Sequence, residues 1–122
     1  MKRLDNCISI YPAFKIKDGK EEELRALVRV IIGRAENEPA TEIFSMAYSG
    51  NKLFLRESYT DIEGFKAHLD SVSDIISDFF GMLELEALHV VAPESAAEEM
   101  KSLMSSMNMQ ADLFVLEGGF AR

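Results

Sequence analysis

Residues 53–71 read LFLRESYTDIEGFKAHLDS, and a change of periodicity inside this stretch decides the fold. Leu53 to Tyr59 is rich in aliphatic and aromatic residues, as a strand requires. Thr60-Asp61-Ile62-Glu63 then has the spacing of a helix capping box, and Phe65, Leu69 and Val72 recur at helical spacing. A strand therefore hands over to a capped helix. The same stretch holds the polar groups best suited to chemistry, Glu57, Tyr59 and His68.

Upstream, Cys7–Ile16 alternates, with Ile8, Ile10, Phe14 and Ile16 on one side and Ser9, Tyr11, Ala13 and Lys15 on the other. Pro12 lacks a ladder donor, which predicts an edge strand or a bulge there. Asp18-Gly19-Lys20-Glu21 places an N-cap acid three residues before a Glu, and Leu24, Leu27, Val28, Ile31 and Ala35 form a helical stripe. That helix should end before Pro39. Thr41–Tyr48 is a second strand, joined by a turn at Ser49-Gly50-Asn51 to the strand of the opening stretch, so the two form a hairpin.

Downstream, Ile75, Ile76, Phe79 and Phe80 continue at helical spacing to a stop at Gly81. Met82–Val91 follows as a fourth strand, with Leu83, Leu85, Ala87, His89 and Val91 read on one face. Ser95-Ala96-Ala97-Glu98 is a third capping box, Met100, Leu103, Met104 and Met107 form a stripe, and Asp112–Glu117 has the character of a fifth strand.

The order βαββαβ predicts an α+β, ferredoxin-like fold with an appended C-terminal helix and strand. The 122 residues fit a single domain, with a core over about residues 7–91 and the α-β extension over about 92–122. Helices cover only one face of such a sheet, yet apolar or small side chains stand on both, Phe54 against Leu53 and Leu55, Phe44 and Met46 against Ile43 and Ala47. The expectation is a homodimer with sheet packed on sheet, giving a dimeric α+β barrel, and the fifth strand is a candidate to extend across the interface.

Charge narrows the partners. With 21 acidic and 13 basic residues the net charge is −8, which argues against nucleic acid or an anionic membrane, both of which need a positive face. No h-region follows the N-terminal Lys2-Arg3, and no apolar run is long enough to span a bilayer, so neither a signal peptide nor a membrane span is expected. Cys7 is the sole cysteine; no internal disulfide can form, and a reducing cytoplasm is the expected location.

The runs Phe14-Lys15-Ile16-Lys17-Asp18-Gly19-Lys20-Glu21-Glu22-Glu23-Leu24 and Arg56-Glu57-Ser58-Tyr59-Thr60-Asp61-Ile62-Glu63-Gly64-Phe65-Lys66-Ala67-His68-Leu69 resemble the antibiotic biosynthesis monooxygenase family of dimeric α+β barrels. The resemblance covers roughly residues 7–91. It implies a ferredoxin-like dimer and, as in some members, oxidation of phenols or quinols by O₂ with no metal, flavin or other cofactor. Members often carry Trp where Tyr59 stands, and an Glu-Pro-Gly run of which Glu38-Pro39-Ala40 keeps the first two residues. Haem-degrading relatives use Asn, Trp and His at places that here look like Pro12, His68 and Asp78, which argues against haem degradation.

Glu57 and Tyr59, two apart on a strand, leave the same face. His68 lies about eight residues into the helix, about 12 Å at 1.5 Å per residue. Thr60 back to Arg56 or Glu57 spans about 10–13 Å at 3.3 Å per residue, so His68 and Glu57 stand at similar heights if helix and strand run antiparallel. One role set makes His68 the proton acceptor for a bound phenol, with Glu57 fixing its tautomer and Tyr59 holding the ring or its oxygen. The phenolate so formed is electron-rich enough to pass an electron to O₂. The expected substrate pocket is lined by Phe54, Phe65, Ile76, Phe79 and Phe80.

The other role set is structural: His68 at the core edge, Glu57 paired with an Arg or a backbone amide, and Tyr59 a core residue with its hydroxyl at the rim. The chain is then a non-catalytic, dimeric small-ligand-binding or stress-associated module. His89 has no second ligand at metal spacing, so no metal site is expected. Cys7 reads as a small buried residue, Gly118-Gly119 as a turn, and the C-terminal methionines as helix packing or, alternatively, a flexible ligand surface.

Overall fold

The computed structural model describes residues 1–122. Its elements are β1 (Arg3–Leu4), β2 (Ile8–Ile16), α1 (Glu21–Glu36), β3 (Thr41–Ser49), β4 (Lys52–Tyr59), α2 (Ile62–Ser71), α3 (Ile76–Gly81), β5 (Leu83–Ala92), α4 (Glu94–Ser106), β6 (Asp112–Val115) and β7 (Phe120–Ala121). The main sheet has the order β3-β4-β2-β5-β6, antiparallel throughout except for the parallel pair β5 and β6. This is the ferredoxin-like βαββαβ sheet with α4–β6 added at one edge. The short β1 and β7 pair separately, bringing the two ends of the chain together.

Local sequence explains most boundaries. Gly50, at φ 57°, closes the β3–β4 hairpin in a two-residue turn. Asp61, rather than Thr60, caps α2: its carboxylate accepts from Gly64 N at 2.8 Å, while Thr60 N is bound by Ala40 O. The other two predicted boxes do not form. Gly19 at φ 78° places Asp18 in a turn, so that α1 starts after Lys20, and Pro93 stands at the start of α4, with Ser95 already inside it. Acid residues in the first turns of both helices, Glu21–Glu23 and Glu94, favour the positive helix end without a side-chain cap.

Two strand expectations change. β2 is the central strand rather than an edge; the β2–β4 pairing skips Tyr11 and Pro12, which accommodates the missing proline donor. The irregularity falls one residue on, where Phe14 pairs with Leu85 but Ala13 with Ala87, leaving Glu86 as an extra residue. That bulge reverses the alternation of β5. Leu83 and Leu85 therefore share the helix side with Leu88, Val90 and Ala92, while Ala87, His89 and Val91 lie on the other face.

Two apolar clusters fill the helix side. One gathers Phe14, Ile16, Leu24, Val28, Ile31, Leu53, Leu55, Val72 and Phe79 beneath α1 and α3. The second gathers Ile8, Ile10, Tyr59, Phe65, Leu88, Val90, Met100 and Met104 beneath α2 and α4. The opposite face carries no helix and leaves Ile43, Phe54 and Phe114 exposed, with Tyr11 stacked on Phe54. β6 pairs with β5 of its own chain, and Leu116 N continues the contact to Ala92 O. No helix is long and apolar enough to cross a membrane.

Candidate functional site

A cavity of about 70 Å³ lies at the seam between the two clusters, floored by Ile10, Pro12, Leu55 and Glu57 and roofed by residues of α2, α3 and α4. Proline at position 12 supplies a short side chain between the larger Ile10 and Phe14. Of the 20 residues around the cavity, 17 are hydrophobic, and its ionisable groups are Glu57 and His68. Such a lining favours an apolar guest with a polar end.

His68, in the last turn of α2, is only 5% exposed. Its Nδ1 lies 2.9 and 3.1 Å from the two carboxylate oxygens of Glu38, in the connection between α1 and β3. Glu38 is held in turn: Ser71 Oγ donates to Oε2 at 2.5 Å and Thr41 Oγ1 to Oε1 at 2.7 Å. Burial works to raise its pKa, but the hydrogen bonds from Ser71 and Thr41 and the nearby His68 outweigh burial and hold the carboxyl below its usual value. An ionised Glu38 calls for a proton on Nδ1, which leaves Nε2 as the ring nitrogen outside this pairing. The hydrogen bonds of the His68 ring run through Nδ1 alone.

Further contacts hold this pair in place. Arg34, at the end of α1, donates to Ser71 O at 2.8 Å and forks onto Asp74 at 2.5 and 3.1 Å, tying α1 to the end of α2. Gly64 lies against Ala40, where an added Cβ would come within 2.7 Å of the Ala40 Cβ. That close approach brings α2 against the segment that carries Glu38. The rings of Phe44 and Tyr59 lie 4.9 and 5.5 Å from that of His68 and restrict its rotation.

Glu57 borders the same cavity as His68, but its hydrogen-bond partner differs from the one expected. It makes no hydrogen bond to His68; its partner is Tyr59, whose hydroxyl donates to Oε1 at 2.5 Å. Burial pushes the Glu57 carboxyl up to about 7; the Tyr59 bond opposes this rise and the nearby Glu38 charge adds to it. Tyr59 is fully buried and does not line the cavity, so its hydroxyl is committed to Glu57 instead of to a guest ring. Burial, with the charges of Glu57 and Glu38, holds that phenol protonated far above its usual range.

Of the expected pocket residues, Phe65, Ile76, Phe79 and Phe80 border the cavity. Phe54 does not. It sits one residue out of phase with Leu53, Leu55 and Glu57 and projects from the open face. Sequence reasoning passed over Glu38 as a site residue because its partner lies 30 positions away; the one local signal was its match to the Glu-Pro pair of the resembling family. Met104, Met107 and Met109 also border the cavity.

The remaining singled-out groups lie elsewhere. Cys7 is buried; its thiol donates to Glu42 at 2.8 Å, and burial followed by that carboxylate raises it to about 11. His89 is on the open face, 3.7 Å from Asp112 and against the Phe114 ring. Nowhere do three His, Cys, Asp or Glu side chains converge as a metal cage would require.

With this geometry in hand, likeness to solved structures adds the fold context. MupZ from Pseudomonas fluorescens superposes over 97% of this chain and 96% of its own, with a TM-score of 0.84 at 24% identity. That span takes in the α4–β6 extension. A candidate antibiotic biosynthesis monooxygenase from Chloroflexus aurantiacus matches 72% of this chain and 93% of its own, with a TM-score of 0.60 at 20% identity. A Bacteroides thetaiotaomicron protein of unknown function, described as a possible oxidoreductase, matches 70% and 96%, with a TM-score of 0.62 at 11% identity. At these identities the likeness concerns the fold. No family model matches the chain, and no curated protein matches it.

Proposed function

We propose that the chain belongs with the antibiotic biosynthesis monooxygenases and oxidises a small phenol or quinol with O₂ in the cavity beside His68, without metal or flavin. The observation that carries this is an imidazole whose Nδ1 is clamped by Glu38, with Nε2 outside that pairing, set in the wall of a largely apolar cavity that also holds Glu57. The likeness of fold to a candidate monooxygenase and to a possible oxidoreductase is consistent with it.

The chemistry balances without an outside reductant. His68 Nε2 takes the phenolic proton, and Glu38 stabilises the imidazolium that results. The phenolate passes one electron to O₂, and the phenoxyl and superoxide radicals join at a ring carbon. Loss of the proton on that carbon and cleavage of the O–O bond leave a ring carbonyl and release the other oxygen as water. A phenol plus O₂ thus gives a quinone plus water. Glu57, titrating near neutrality at the cavity wall, is the group placed to return a proton to the departing oxygen. Tyr59 positions Glu57. An apolar surround favours this role, since developing charge is then met by fixed protein groups.

The same proposal includes a homodimer packed through the open sheet face, where Ile43, Phe54 and Phe114 stand uncovered.

The test is O₂ uptake across a panel of phenols and quinols. Turnover with at least one, falling by about 100-fold or more in His68→Ala with the fold retained, is the expected result. Binding with no uptake by any would leave a ligand-binding module and overturn the catalytic assignment.

A further inference from the structure

The cavity beside His68 is not a closed chamber. Phe14, Phe80, Leu85, Leu88, Met107 and Met109 line both it and an adjoining groove of about 500 Å³ on the surface. The C-terminal extension supplies two of these six residues, Met107 and Met109. α4 ends at Ser106, Met107 N is bound by Leu103 O and Met104 O, and Asn108 at φ 57° reverses the chain so that Met109 N returns to Met104 O. This knot presents two methionines to β5. Facing them, the extra residue Glu86 disturbs the strand beside Leu85, which is 41% exposed although Leu83 and Leu88 are buried.

Volume shows why this shared wall matters. An apolar cavity of roughly 150 Å³ is what takes up benzene in a protein interior, and about 70 Å³ is available here. A phenol ring at His68 must therefore displace part of the lining. The side chains best able to yield are Met107 and Met109, both half-buried, because an unbranched thioether turns about three bonds at low cost. When they yield, the cavity opens into a groove bordered by eight hydrophobic residues and by the polar Glu86, Asn108 and Gln110.

We infer that the groove is a second subsite, and that the ligand is an amphiphilic phenol: the hydroxyl-bearing ring sits at His68, and an uncharged alkyl substituent passes between Leu85, Met107 and Met109 into the groove. An anionic tail is disfavoured, since the groove wall holds no Lys or Arg, its one carboxylate, Glu86, being paired with Lys52 at 2.6 Å, and the chain carries a net charge of −8. The ring position rests on the function proposed above; the tail position rests on the shared wall of cavity and groove.

The experiment is calorimetric titration, under anaerobic conditions, of phenol and its 4-ethyl, 4-propyl, 4-butyl and 4-pentyl derivatives. Affinity should rise about three- to fourfold per methylene, the value for burying a CH₂ group. In Met107→Ser/Met109→Ser the rise per methylene should drop below about twofold. Leu85→Ser is a second variant reporting on the same wall, and far-ultraviolet circular dichroism checks the fold of each. An affinity that does not grow beyond phenol in the wild type, or a rise unchanged in both folded variants, overturns the tail subsite. Phenol turnover with a flat series would sink this inference alone. A steep series without O₂ uptake would sink the proposed oxidation and leave the subsite standing, and no binding of any phenol would sink both.

Discussion

Replacing Glu57 by Gln should stabilise the chain at alkaline pH and lose that advantage in acid. The folded-state carboxyl titrates at about 7 against an ordinary value of 4.5, because it is buried. A raised carboxyl pKa means that the folded chain holds a proton the unfolded chain has released. The stabilisation is fully present below about pH 4.5 and is lost as pH rises through 7. Between pH 5 and pH 8 the loss from this one group is about 2.5 kcal/mol, taking 1.36 kcal/mol per pKa unit. Gln has no proton to lose, and its carbonyl oxygen still accepts from Tyr59, whose hydroxyl lies 2.5 Å from Oε1. Urea unfolding of both proteins at equal protomer concentration, from pH 5 to pH 8, measures the difference in stability. Glu38 and Asp74 are both held below their ordinary values, so their contribution to stability changes at more acid pH, outside this range. The variant should gain on the wild type by about 2.5 kcal/mol across that range. A difference that is flat with pH, or that moves the other way, would refute the placement of an ionisable carboxyl in a buried wall.

Three further outcomes are expected. Gly64→Ala should cost about 1–3 kcal/mol in urea unfolding despite the better helix propensity of Ala, because the new Cβ meets that of Ala40 at 2.7 Å. Adding Ala40→Gly should recover most of the loss, and no recovery would place the strain elsewhere. Phe54→Asp should convert a dimer to monomer in sedimentation at micromolar concentration; a wild type already monomeric would remove the sheet-on-sheet packing. Cys7 should react with a disulfide reagent at pH 8 far more slowly in the folded chain than in urea, since its thiol is buried and raised to about 11; equal rates would contradict that burial.

The scaffold was readable because its signals are local. Alternation in Cys7–Ile16, the helical stripe from Leu24 to Ala35 and the Gly50 turn each decide an element from neighbouring residues alone, and their order implies the sheet. Errors arose where long-range pairing overrides a local pattern. The extra residue at Glu86 inverts β5, and nothing in Leu83–Val91 signals it, since apolar residues stand on both sides of the bulge. Pro12 suggested an edge because proline lacks a donor; the central position of β2 depends on where its neighbours leave a gap. In the site, His68, Glu57 and four aromatic or aliphatic wall residues follow from periodicity. Glu38 does not: its role comes from the docking of α2 through Gly64 and Arg34, a tertiary event. Phe54 was the avoidable miss, as its own alternation with Leu53 and Leu55 sets it on the other face.

The central claim, that His68 takes the proton of a phenol held in the cavity, is open to one direct spectroscopic measurement. A nitrophenol that titrates near neutrality reports its own ionisation by absorption, without turnover and in the absence of O₂. Bound to the wild type at a pH where it is largely protonated in solution, it should shift towards the phenolate spectrum, and in folded His68→Ala the shift should vanish. A bound nitrophenol that stays protonated in the wild type, or that ionises equally without the imidazole, would contradict the claim.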